Sequence, residues 1–147
     1  MARQEGMLAL VVEDDPSVRA FLGRALAQLD YESDGVATAA EAEARVDGGR
    51  AYDVVLLDGL LPDGHGLALA RRLIARQGTA RTAICLLSGT VRRPSPVTAG
   101  ISALGKPPRL ADLLEHVEQM RRWRLAGSSA AEREAALDAL EAGLLVG

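Results

Sequence analysis

Lysine is nearly missing from this chain. Of its 17 basic residues, all but Lys106 are arginine. That bias leaves one ammonium side chain to be accounted for. Cysteine is as scarce. Cys85 alone excludes an internal disulfide framework, and its place in an apolar run marks it as a small buried hydrophobe. Aromatic residues make up 3% of a chain that is 48% hydrophobic, so a core has to be built from Leu, Val and Ala. No run reaches the roughly 18 apolar residues that span a bilayer. Residues 1–6 are charged and the apolar run after them ends at Glu13, which is not a secretory signal. A soluble, cytoplasmic protein without membrane insertion is expected. A net charge of −3 is too slight to point toward or away from nucleic acid. The 147 residues suit one domain with a small appendage, and contain no repeat or low-complexity stretch.

What is present alternates. Residues 8–12 form an apolar run ending in Glu13, Asp14 and Asp15, with Pro16 fit for a first helical turn and Asp15 for its N-cap. Val18, Phe21, Leu22, Ala25, Leu26 and Leu29 then recur at helical spacing. Residues 31–36 read as a polar edge strand. Thr38 with Glu41 forms a capping box for a helix over 39–47, which Gly48 and Gly49 end. A buried strand runs to Leu57 and stops at Asp58. A helix over 64–76 turns Leu67, Ala70, Leu73 and Ile74 inward. Strands over 83–87 and 101–104 follow, and between them Pro94 and Pro96 exclude a full-length regular helix. Leu110, Leu113, Leu114 and Val117 share one side of a helix over 110–122. Gly127-Ser128-Ser129 links it to a last helix over 130–145. Five strand–helix alternations predict an α/β fold: a doubly wound, five-stranded parallel sheet of flavodoxin-like order 2-1-3-4-5 with an extra C-terminal helix.

In such a sheet the carboxyl ends of the strands share one edge, where open α/β folds place their sites. Glu13 and Asp14, Asp58, Ser88 and Lys106 each follow a different strand. Alone, each has a plainer reading as cap, turn residue or solvated charge; four successive strand ends are a sharper signal. Three carboxylates at one place repel and raise one another's pKa, a repulsion that a divalent cation relieves. Hard oxygen donors, few of them from protein, suit Mg²⁺. Asp58 is then a nucleophile for phosphorus, and Lys106 and Ser88 suit the oxygens of an incoming phosphoryl group. His65 reads as an exposed loop histidine, and His116 has no legible partner.

The segments VVEDDPSVR (11–19), DVVLLDGLLPDGHG (53–66), LLSG (86–89) and GKP (105–107) stand in this order. Through them the chain resembles the receiver domain of bacterial two-component response regulators, of the chemotaxis-receiver type, over roughly residues 7–122. The resemblance implies phosphoryl transfer to Asp58 from a phosphohistidine on a sensor histidine kinase or phosphotransfer protein. It implies Mg²⁺ held by Asp14, Asp58 and the Leu60 carbonyl, with Glu13 acting through water. It implies Ser88 and Lys106 on the phosphoryl oxygens, and a cis bond between Lys106 and Pro107. A receiver unit over 1–124 is then followed by a linker and helix over 125–147.

Two departures bear on output. Ala103 stands three residues before the lysine, where the family usually has Tyr or Phe, and the segment between Ser88 and Lys106 is short by roughly one helical turn. The aromatic switch is therefore expected to be replaced by movement of Ser88 and residues 89–96. The alternative is a degenerate receiver, a protein-interaction module indifferent to phosphorylation. A phosphohydrolase would carry a second acid two residues after the nucleophile, where Leu60 stands. Leu60 is expected to limit water access to an acyl phosphate. No DNA-binding domain follows, so output to a downstream protein, without direct contact to nucleic acid, is expected unless the chain is part of a longer one. Leu137, Leu140, Leu144 and Leu145 form one apolar stripe beside Glu134, Asp138 and Glu141. That stripe suits docking on its own domain, pairing of two chains into a homodimer, or a partner. The run Arg121-Arg122-Trp123-Arg124 reads as a solvated helix end, with a basic contact patch as the alternative.

Overall fold

The computed structural model describes residues 7–146, without the side chains of Gln77 and of 144–146; the expectation for residues 1–6 lies outside them. Strand β1 (Met7–Val12) leads through α1 (Pro16–Gln28) to β2 (Tyr31–Val36), and α2 (Ala39–Asp47) leads to β3 (Val54–Asp58). A two-rung hairpin of β4 (Leu60–Leu61) and β5 (Gly64–His65) precedes α3 (Gly66–Ile74) and a turn of 3₁₀ helix. Then come β6 (Ala83–Ser88), β7 (Ser95–Thr98), β8 (Ile101–Gly105), α4 (Leu110–Ala126) and α5 (Ala130–Val146).

The sheet order is β2-β1-β3-β6-β8-β7. Its five parallel strands have the predicted 2-1-3-4-5 order. The sixth, β7, is antiparallel and pairs Ser95 with Ala103 and Thr98 with Ile101. It stands where the sequence excluded a regular helix, so the crossover from β6 to β8 carries no helix at all. Ala99 and Gly100 both take positive φ, at 51° and 75°, as a two-residue hairpin turn of the right twist requires. Pro96 lies in this outermost strand, where a residue without an N–H is tolerated and discourages further pairing.

Both faces of the sheet are covered, and each has its own core. Leu22, Ala25 and Leu26 of α1 and Leu113, Val117 and Met120 of α4 pack on one side. Ala39 and Ala42 of α2, Leu69, Ala70 and Leu73 of α3, and Leu137 of α5 pack on the other, over Ile84, Leu86, Ile101 and Ala103. The last helix thus docks on its own domain, against α3, β7 and β8; the side chains of Leu144 and Leu145 are outside the described residues.

Caps fix where the helices begin. Asp15 accepts from the Ser17 and Val18 amides, and Thr38 Oγ1 accepts from the Glu41 amide as predicted, while Glu41 Oε1 reaches back to the Thr38 hydroxyl and the Ala37 amide rather than the Thr38 amide. Helix α4 adds detail to its reading. Leu110, at its first position, is 39% exposed, while Leu113 and Val117 are buried. His116 is buried and its Nε2 lies 2.8 Å from the Ser95 carbonyl, which ties α4 to β7. The basic run is solvated only in part: Arg122 is exposed, but Arg124 pairs with Asp53 at 2.8 Å, and the Trp123 ring lies under the Arg133 guanidinium at 4.8 Å.

Candidate functional site

Register brings the strand ends together. Val12 pairs with Leu57, Asp58 with Leu87, and Ser88 with Gly105. Glu13, Asp58, Ser88 and Lys106 therefore follow one another across the carboxyl edge of the sheet. Glu13, Asp14 and Asp58 each bring a carboxylate oxygen within 4.8 Å of the others. Glu13 is fully buried, Asp58 is 5% exposed, and Asp14 faces solvent. The Lys106 ammonium lies 2.8 Å from Asp58 Oδ2 and 2.9 Å from Glu13 Oε2. The lone lysine is thus the counter-ion of the two buried acids, as a compact ammonium on a flexible stem allows.

The loop after Asp58 is held by its backbone. The Leu60 amide donates to Asp58 Oδ1 at 3.2 Å, while the Leu60 side chain is 67% exposed. Gly66 donates to the Gly59 carbonyl at 2.9 Å, and a Cβ there would collide with the Asp58 carbonyl oxygen, so only glycine closes this turn. Asp63 caps α2 from this loop, accepting from Ala39 and Ala40 at 2.9 and 3.0 Å. Those two amides hold its carboxyl below the usual range. Nothing in the sequence marked Asp63 for this role, because its partners are backbone groups of a distant helix.

Ser88 lies beside Gly59, whose added Cβ would sit 3.3 Å from the Ser88 Cβ. Its hydroxyl is joined to Thr90 Oγ1 at 2.9 Å, and the Thr90 amide donates to it at 3.3 Å. Thr90, unremarked in the sequence, is therefore the resting partner of the predicted phosphoryl contact. The bond between Lys106 and Pro107 is cis. His65 is exposed, as expected.

Charge at the site is incompletely balanced. Burial raises the Glu13 pKa above its ordinary value, although Lys106 and the Asp15 amide pull it down. Burial alone would lower the Lys106 pKa, but Asp58 and Glu13 more than offset this and raise it. Glu13 Oε2, near Lys106 yet without a well-directed hydrogen bond, keeps lone pairs free. Three converging carboxylates with such spare capacity are a donor set suited to a hard divalent cation.

An open α/β domain that gathers three acids and one ammonium at its carboxyl edge defines a receiver-type signalling domain. The chain matches the model described as the response regulator receiver domain over residues 9–118, and it belongs to that family. Over 71 residues it is 45% identical to the transcriptional regulatory protein TcrA of Mycobacterium tuberculosis (strain ATCC 25618 / H37Rv), covering 48% of this chain and 28% of that protein. It is 36% identical over 126 residues to the swarming motility regulation protein RssB of Serratia marcescens, covering 82% of this chain and 55% of that one. It therefore spans at most about half the length of these relatives. The solved response regulator receiver domain (CheY-like) from Methylobacillus flagellatus superposes with a TM-score of 0.67 at 25% identity, over 79% of this chain and 99% of that one. Among the described residues, no helix is long and apolar enough to cross a membrane.

Proposed function

We propose that this chain accepts a phosphoryl group on Asp58 from a phosphohistidine of a sensor kinase or histidine phosphotransfer protein, and passes the signal on by protein contact. The receiver domain takes residues 1–124, and a linker and C-terminal helix follow over 125–147. A carboxylate oxygen of Asp58 attacks phosphorus, the P–N bond to the donor imidazole breaks, and the imidazole takes a proton from water. Mg²⁺ fits the Glu13, Asp14, Asp58 and Leu60-carbonyl set and supplies charge neutralisation for the transferring group. Lys106 leaves its pair with Asp58 Oδ2 to hold a peripheral phosphoryl oxygen, and the Ser88 hydroxyl takes another. The chain then acts only on its own phosphorylation and dephosphorylation.

The observation that carries this reading is the Lys106–Asp58 contact of 2.8 Å beside two further carboxylates. Incubation with Mg²⁺ and acetyl phosphate or phosphoramidate, followed by intact mass, is its test. One phosphoryl mass is expected, lost in Asp58→Asn and without added Mg²⁺. No mass gain favours instead a phosphorylation-indifferent interaction module, which the buried Ala103 in place of an aromatic would suit. Steady hydrolysis of a phosphomonoester would point to a hydrolase.

A further inference from the structure

The β6-to-β8 crossover has no helix, and α5 lies over the sheet face so exposed. The two halves of α5 are held very differently. The first half is clamped. Arg133 is 2% exposed and donates to the carbonyls of Thr79 at 2.8 Å, Ala80 at 3.3 Å, Ala99 at 3.1 Å and also Thr82. Leu137 is buried in the core beneath it. Ser129 and Glu132 cap this end reciprocally, at 2.8 and 3.1 Å.

The second half borders open space on two sides. One cavity, about 290 Å³, separates Ala139, Leu140 and Gly143 from Thr90, Val91, Arg92 and Arg93. Another, about 500 Å³, lies between Glu141 and Ser88, Gly59, His65 and Leu86, with Arg71 in its wall. Ser88 lines one cavity and Thr90 the other, and their hydroxyls are bonded to each other. Beyond the packing of Leu140 on the core and of α5 on α3, an ion-pair latch holds the far half: Arg71 reaches Glu141 at 2.6 Å and Asp138 at 2.8 Å, and also Glu134 of the first half at 3.3 Å.

We propose that α5 is the element through which the acceptor site is read: a lever pivoting on Arg133, its far half set by the Ser88–Thr90 loop and the Arg71 latch. This rests on Asp58 being phosphorylated. When the Ser88 hydroxyl turns to a phosphoryl oxygen it gives up Thr90, and residues 89–93 are free to rearrange into the space beside Leu140. Contacts along 138–143 change while 130–137 stay clamped. Such a lever needs no buried aromatic at Ala103, over which the clamped half already lies.

Hydrogen exchange of the full-length chain, with and without Mg²⁺ and acetyl phosphate, tests this alongside intact mass on the same sample. In a phosphorylated chain, amides of 138–143 are expected to change exchange rate by roughly tenfold, with 130–137 nearly unchanged. Glu141→Gln is expected to raise exchange at 138–143 without phosphorylation, and Thr90→Val to reduce the phosphorylation response while mass gain persists. A phosphorylated chain whose α5 exchange is unchanged, or changes uniformly along the helix, overturns the lever but leaves Asp58 as acceptor. A chain that gains no phosphoryl mass overturns both.

Discussion

Glu13 is a carboxylate with no exposed surface, facing Lys106 across from Asp58. Because burial raises its pKa, the folded chain binds this proton more tightly than the unfolded one does. The associated stability is fully present below the ordinary carboxylate value and is lost as pH rises through the folded value. Where Glu13 is ionised in the metal-free chain its charge is destabilising, while Lys106, raised as well, gives up its contribution only at alkaline pH. Metal-free Glu13→Gln should melt higher than the parent at pH 7, by roughly 2–5 °C, and lose the parent's fall in Tm above about pH 4.5. Thermal melts in chelator across that range check the sign; an equal or lower Tm at pH 7 contradicts it. Leu60 invites a second change. Its side chain stands in solvent next to the acceptor, and an amide there would help position an attacking water. Leu60→Asn should shorten the acyl-phosphate lifetime several-fold, about 1 kcal/mol in barrier, as followed by decay of the phosphorylated mass.

At the scale of elements, what the sequence made legible and what it concealed divide along a physical line. Four of the five parallel strands could be read because each is an apolar run that ends at polar residues, Asp58, Ser88 and Lys106 among them. Strand β7 could not. Its four residues are SPVT, half of them exposed, and pairing with β8 is enforced by a turn whose first residue, Ala99, is an uncommon choice at positive φ. The role of Arg133 was equally hidden. It is one arginine among many, and its acceptors are main-chain carbonyls, which any residue type supplies. Its burial against neutral dipoles, with the pKa pushed down to about 10 by desolvation, makes it sensitive to replacement. Arg133→Ala leaves at least three carbonyls without their donor and should lower stability by roughly 2–4 kcal/mol. Arg133→Lys, keeping charge without the planar fork, should recover only part of it. Denaturant midpoints of the two variants, with unchanged m-values, measure the difference.

For the whole molecule, the boundary of the family match and the boundary of the packed unit disagree. The match ends at residue 118, before α4 is complete and before α5 begins, which makes the tail look dispensable. The packing says otherwise. Leu137 closes the core over Ile101 and Ala103, and Arg133 satisfies carbonyls in the two loops that precede β6 and β8. No crossover helix is available to take this place. Removal of residues 127–147 would bare an apolar strip on β6 and β8 and orphan those carbonyls, a loss of roughly 3–5 kcal/mol from one buried leucine and several hydrogen bonds. The shortened chain should melt roughly 10 °C or more below the parent and bind a hydrophobic dye that the parent does not. An appendage merely tethered to a self-sufficient receiver would leave Tm unchanged. Parallel calorimetry of the two chains therefore decides whether α5 is cargo or the missing layer of the fold.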